Sequence, residues 1–297
     1  MNGTAIGVAI ETAIGIGSAY ALLALSFTVI FAATGYLHFT LGNVVMLGTV
    51  FAYWGSARQH WPVAAVLVLV VTVGGAVGVL SDWLAIRPTR RRVRDPHTVV
   101  LLSTLGLAFV ITGLTASIFG PDSFIVPSYV SLQPFYILGV PIRPPYVVMV
   151  ACLLILATAA QFTIKRTRIG QMLRAVEESH ELSRLSGINV SLVISVVFTL
   201  AGMLAAFSGF LIAPVTSASA YSGLDLLIDG SAAMVIGGFG SFSGAVIGAG
   251  VVGAVVGIGP LFLPPTSVEP CVLLVMVVIL LLKPSGLGVS SIRLRRV

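Results

Sequence analysis

Charge is what this sequence has least of. Only 26 of its 297 residues are Asp, Glu, Lys or Arg, 9% of the chain, where a soluble domain carries about a quarter. With 57% hydrophobic residues and a mean hydropathy of +1.08, polar groups are too few to cover a water-soluble fold. The chain therefore reads as an integral membrane protein. Lysine occurs twice, at Lys165 and Lys283, and neither stands in a GxxxxGK[ST] phosphate loop. That excludes a Walker-type nucleotide site on this polypeptide. Cys152 and Cys271 lie in separate apolar stretches without metal-ligand spacing, and read as small buried hydrophobes. The four histidines (His38, His60, His97 and His180) are scattered and HExxH is absent, so an intramembrane metalloenzyme has no ligand set. GSFSG at 240–244 has no His and Asp placed to complete a triad. GxGxxG at 248–253 falls inside an apolar segment, not after a strand, so it does not signal a dinucleotide. The net charge of +6 reads as a topology signal, not as a nucleic-acid footprint. The N-terminal MNGTAIGVAIE has no basic n-region, so the first apolar segment is expected to be a retained membrane helix.

What the chain does have is long apolar runs without period-2 alternation. These imply helices spanning a hydrocarbon core of roughly 30 Å, not barrel strands. Segments are expected near Thr4–Ala33, Gly35–Tyr53, Pro62–Ile86, Thr98–Phe119, Pro145–Ile164, Ser191–Ala213, Leu226–Ile258 and Ser267–Leu282. The expected fold is an all-α polytopic bundle of about eight transmembrane segments.

Basic residues fall in three clusters: Arg87, Arg90, Arg91, Arg92 and Arg94; then Lys165, Arg166, Arg168, Arg174 and Arg184; then Lys283, Arg293, Arg295 and Arg296. Arg58 and Arg143 stand apart. The positive-inside rule places all three clusters in the cytoplasm. Two segments separate the first two clusters, which fits, but three separate the second from the third. One of those three must therefore cross an even number of times. Leu226–Ile258 is the candidate, since as one helix it would be about 50 Å long. It holds nine glycines. It is expected to be a Gly-rich broken or re-entrant pair that enters and leaves externally, with Gly237, Gly238, Gly240, Gly244 and Gly248 serving close helix packing. Counting back, the N-terminus is external.

One stretch breaks the pattern. RTRIGQMLRAVEESHELSRLSGINV, residues 166–190, holds seven charged residues. Gln171–Ser186 reads as one helix with Met172, Val176, Ser179, Leu182 and Leu185 on one side. Arg174, Glu177, Glu178, Glu181 and Arg184 lie on the other, and Gly187 suits the position just past the C-cap. A solvated connector, a lipid-surface helix and a docking site for another protein all remain open. The length exceeds the usual 2–8-residue helix connection, and the mixed charge suits lipid poorly.

Thr167-Arg168-Ile169-Gly170, Arg174-Ala175 and Leu185-Ser186-Gly187-Ile188-Asn189 resemble the cytoplasmic loop of bacterial branched-chain amino-acid permeases, the membrane subunits of Liv-type ABC importers. Ser18-Ala19-Tyr20-Ala21-Leu22, Arg87-Pro88, Ser103-Thr104-Leu105-Gly106, Gly237-Gly238-Phe239-Gly240-Ser241 and Pro284-Ser285-Gly286-Leu287 continue the resemblance over nearly the whole chain. The resemblance implies a single permease domain, residues 1–297, in the bacterial inner membrane, with a cytoplasmic coupling segment at 165–189 seated on an ATPase subunit. Gly170, Arg174, Glu177, Glu178, Glu181, Arg184 and Gly187 would carry that contact. It also implies a second homologous permease subunit and an extracytoplasmic substrate-binding protein. This chain would bind no cofactor, with ATP and Mg on the partner subunits. Where such permeases usually read close to NFAHGE, this sequence has His38-Phe39-Thr40-Leu41-Gly42-Asn43, and Asp229 stands where a lysine is frequent. The substrate therefore stays open among branched-chain and other amino acids, urea, short amides and carboxylic acids. A stand-alone channel or secondary carrier is the alternative function, though the sequence shows no matching inverted halves.

Polar residues within membrane spans are pathway candidates. Here these are His38, Asn43, Ser103, Thr104 and Asp229. Each also has an ordinary structural reading: a packed or capping His38, hydroxyls bonded to their own helix, an acidic helix start at Asp225 and Asp229.

Overall fold

The computed structural model describes residues 3–88, 96–130, 133–137 and 140–288. Arg90, Arg91, Arg92, Arg94, Arg293, Arg295 and Arg296 lie outside the described residues. Apolar composition and an obligation to satisfy every backbone group internally give helices almost throughout. They are α1 Gly3–Thr34, α2 Thr40–Tyr53, α3 Val63–Ser81, α4 Pro96–Phe119, α5 Pro144–Arg166, α6 Arg168–Glu178, α7 His180–Leu185, α8 Val190–Ile212, α9 Gly223–Gly237, α10 Phe242–Ile258 and α11 Val268–Leu282. Single π-helical turns, Trp54–Arg58 and Asp82–Ile86, prolong α2 and α3. Two short antiparallel pairs complete the chain: β1 Ser123–Ile125 with β4 Ser217–Ser219, and β2 Phe135–Ile137 with β3 Val140–Ile142.

Among the described residues seven helices are long and apolar enough to cross a membrane, and α2 and α9 are not among them. The ends bearing Arg87, Lys165 and Arg166, and Lys283 mark the cytoplasmic face. At the opposite face the start of α1 meets the start of α5. There the Glu11 carboxylate accepts a hydrogen bond from the Arg143 N–H and lies 3.9 Å from its guanidinium. The N-terminal helix thus starts at the face opposite Arg87 and Lys283.

The Gly-rich stretch is two helices joined by a turn at 238–241. Gly238 (φ 97°) and Gly240 (φ 75°) occupy the left-handed region that a side chain rarely adopts. Gly237, Gly244 and Gly248 serve contact instead: a Cβ at Gly244 would stand 2.0 Å from the Gly237 carbonyl, and one at Gly248 2.0 Å from that of Ala233. The turn reaches the inner face. Leu287 and Gly288 donate their N–H groups to the Ile236 and Gly237 carbonyls, both at 2.8 Å, just past Lys283. The pair therefore descends to the cytoplasmic end before returning outward.

α1 is the core helix, buried along most of its length against α8, α9, α10 and α5. α2 starts within the bundle. The chain leaves α1 at Thr34 and runs non-helically to Thr40, and His38 packs edge-on against Phe198 at 5.1 Å. Phe198 lies eight residues, about 12 Å, into α8. Irregular backbone at membrane depth is tolerated only where protein or a cavity surrounds it, and residues 38, 40 and 43 are all buried.

At the inner end a polar clamp ties α3 to α8. The Arg87 Nε donates to Asp82 Oδ2 at 3.1 Å and its Nη2 to Ser195 Oγ at 2.7 Å, while Ser195 Oγ lies 2.6 Å from the same carboxylate. Asp82 is 2% exposed, so removing its cation leaves a buried charge. Arg87→Ala is expected to cost about 2–3 kcal/mol, below the fully buried limit because Arg87 is partly solvated. Thermal unfolding of the purified protein checks it.

Candidate functional site

The helices that surround α1 leave an outward-opening cavity of ≈ 360 Å³ whose apolar lining, including Ile212, Leu226 and Val256, is interrupted by a polar group of side chains. Those side chains are Tyr20 of α1, Thr49 of α2, Thr216 and Ser217 beyond α8, Ser222, Asp225 and Asp229 of α9, and Glu269 of α11. Asp225 and Asp229 share one face of α9 because residues four apart stack on a helix. Asp225 and Glu269 are exposed near the mouth, whereas Asp229 is 6% exposed. Tyr20 and Asp229 face the same cavity, close enough for the phenol and the carboxylate to interact. The Asp229 Oδ1 is buried without a hydrogen-bond partner among the described residues.

Among the pathway candidates, Asp229 alone lines this cavity. Of the other four, Asn43 and Thr104 lie on a seam between the start of α2 and α4. Asn43 Nδ2 donates to the Ala108 carbonyl at 2.9 Å and to Thr112 Oγ1 at 2.6 Å. Thr40 Oγ1 donates to the Thr104 carbonyl at 3.0 Å, and the Phe39 N–H to Thr104 Oγ1 at 3.4 Å. Ser103 bonds its own helix at Val99, and His38 sits deeper, on Phe198. The seam abuts the cavity wall where α2 meets the start of α9: a Cβ at Gly42 would stand 2.3 Å from the Gly223 carbonyl. Two half-helix starts thus meet inside the bundle. Tyr20, Thr49 and Glu269 were not singled out as candidates. Tyr20 is visible in principle as a polar group in an apolar span; Glu269 looks like any acidic residue at a helix start.

The external rim is braced by β1 against β4 and by Tyr129. Its ring stacks on Phe210 at 4.2 Å and its hydroxyl donates to the Phe210 carbonyl at 3.0 Å. Burial pushes that hydroxyl well above the usual tyrosine range, so it remains a neutral donor.

The second feature is the charged island at the inner face. Thr167 caps α6 by accepting from the Gly170 N–H, and Gly170 packs under the Ile164 carbonyl, a spot with no room for a Cβ. Gly170, Leu173 and Val176 form the face turned to the bundle. Helix formation then stops at Ser179 (φ −161°, ψ 120°), whose side chain accepts from the Leu182 N–H and starts α7. The single helix expected over Gln171–Ser186 is therefore two, because a Ser can cap a new helix better than it continues an old one. The face assignment changes with it. Met172, Leu182 and Leu185 are exposed, the last at 85%. Arg174 Nε donates to the Gly170 carbonyl at 3.4 Å, and Glu177, Glu178, Glu181 and Arg184 are exposed around these leucines. Gly187 (φ 80°) ends α7 in a Schellman motif: its N–H bonds the Arg184 carbonyl and that of Ile188 bonds Ser183.

Residues 9–281 match the family described as branched-chain amino acid transport system / permease component. The chain belongs to this family. It is 25% identical over 287 residues to the high-affinity branched-chain amino acid transport system permease protein LivH of Salmonella typhimurium, and 24% identical over 288 residues to BraD of Pseudomonas aeruginosa, covering 92% of both chains in each case. It is also 27% identical to the ribose import permease protein RbsC of Escherichia coli, over 64% of this chain and 58% of that one. The permease is thus the membrane-spanning subunit of an ABC importer and a multi-pass protein of the bacterial inner membrane.

Proposed function

We propose that this permease carries a branched-chain or similar amino acid inward, driven by ATPase subunits that dock on α6 and α7. The observation that carries the reading is the capped cytoplasmic helix α7, which holds Leu182 and Leu185 out into solvent among Glu178, Glu181 and Arg184. None of the described residues covers these leucines, and burying them on a partner would stabilise the complex by roughly 1.5–3 kcal/mol each. ATP and Mg would be held by that partner, since neither lysine of this chain lies in a phosphate loop. A substrate-binding protein would deliver solute to the outward cavity, and a second related permease subunit would complete the membrane unit. Lipid would cover the apolar outer faces of α4, α5 and α11, which the chain leaves exposed.

The test is reconstitution in proteoliposomes with the candidate ATPases, partner permease and binding protein. Uptake of labelled leucine is expected only with ATP on the ATPase side. Uptake that proceeds at the same rate without ATP or without ATPase subunits would refute the reading.

A further inference from the structure

We propose that the outward cavity holds a subsite for a protonated amine on the transported solute, with Asp229 as its anchor and Tyr20 as the residue that positions that carboxylate. This rests on the import function proposed above and assigns the place in this chain where the solute's protonated amine is held.

The argument begins with charge. Three carboxylates, Asp225, Asp229 and Glu269, line the cavity, and among the described residues no Lys, Arg or His does. Carboxylates removed from water normally have a cation or several donors. Asp229 shares this cavity with the Tyr20 phenol, and its buried Oδ1 has no hydrogen-bond partner among the described residues. A protonated amine brings three N–H donors and one positive charge. It would satisfy Oδ1, with the neighbouring Tyr20 phenol free to donate to the other carboxylate oxygen.

Size and approach agree with this. A volume of ≈ 360 Å³ is room for roughly a dozen waters. Asp225, one turn outward on the same face of α9, and Glu269, at the start of α11, stand exposed at the mouth. They give the entrance a negative field that draws cations and repels carboxylic acids lacking an amine. Thr49, Ser217 and Ser222 offer hydroxyls to the remainder of the solute without adding charge.

The test uses the complete importer. Asp229→Asn keeps shape and removes the charge. It is expected to lower leucine uptake roughly tenfold or more, the size of a lost charge-assisted hydrogen bond. Asp229→Glu should restore part of it, and Tyr20→Phe should raise the apparent KM more than it lowers the maximal rate. Because the binding protein also selects solute, the same complex without it is heated with isoamylamine, with 4-methylpentanoate, and with sodium chloride. Isoamylamine is expected to raise the unfolding temperature of the wild type and not of Asp229→Asn; 4-methylpentanoate is expected to do nothing to either. Equal protection by the acid, protection by sodium that matches the amine, no protection by any probe, or full uptake by Asp229→Asn would each overturn the subsite. Absence of ATP-driven uptake by the wild-type complex would instead refute the importer reading, so the two failures are distinct.

Discussion

Replacing Leu182 and Leu185 together by Glu is expected to abolish ATP-driven uptake while leaving the permease folded in the membrane. Both side chains belong to α7 and are exposed, so neither contributes to the permease's own core. Their loss should not lower its unfolding temperature. In the complex they would be apolar anchors ringed by Glu178, Glu181 and Arg184, and burying two carboxylates in their place would leave unpaired charge at the interface. Anchors of this kind are typically worth 2–4 kcal/mol, or about 30- to 1,000-fold in assembly. Co-purification with the ATPase subunits should fall accordingly. Reversing the charges of Glu178 and Arg184 should have the same direction and a smaller size, since those groups lie on the rim of the contact. Normal uptake by either variant would remove docking from this helix.

The second large effect concerns the packing of α8. Gly202 lies where α8 crosses α3, and a Cβ there would stand 2.2 Å from the Gly74 carbonyl oxygen and 3.1 Å from the Gly78 Cα. The obstacle is backbone on a helix that is itself packed, so it cannot move aside as a side chain would. Small residues are what let helices approach this closely in lipid, where no hydrophobic drive compensates for a wider gap. Gly202→Val should cost several kcal/mol, more than ordinary overpacking. It should remove most of the monodisperse protein extracted in mild detergent. Gly250→Val is the control, because a Cβ there meets nothing within 4 Å.

The contrast between those two glycines shows what the sequence could and could not reveal. Long apolar runs were enough to locate most of the spans, because solvation by lipid depends on composition summed over twenty residues. The end of α7 was readable too, since Gly187 is the residue a left-handed C-cap requires. In the sequence Ser179 looks like one more position on a helical face, because whether a Ser continues a helix or caps a new one depends on tertiary contacts beyond it. Leu173, turned to the bundle, and Leu182, turned to solvent, have the same side chain and differ only in what α6 and α7 lie against. The cavity was the least legible feature. Tyr20, Asp229 and Glu269 come from α1, α9 and α11, and nothing local in any one segment announces the other two. Asn43 and Thr104, chosen by the same rule as Asp229, instead bind α2 to α4. Intramembrane polarity identifies residues that need a partner, not whether that partner is protein or solute.

Import driven through the cytoplasmic helix pair is tested most directly by accessibility at α7. A chain with Cys152→Ala and Cys271→Ala, carrying Leu185→Cys, would be exposed to a membrane-impermeant maleimide in right-side-out and inside-out vesicles. The account predicts labelling only in inside-out vesicles, and loss of that labelling when the ATPase subunits are bound. Labelling of the right-side-out vesicles, or labelling unaffected by the bound ATPase, would contradict it.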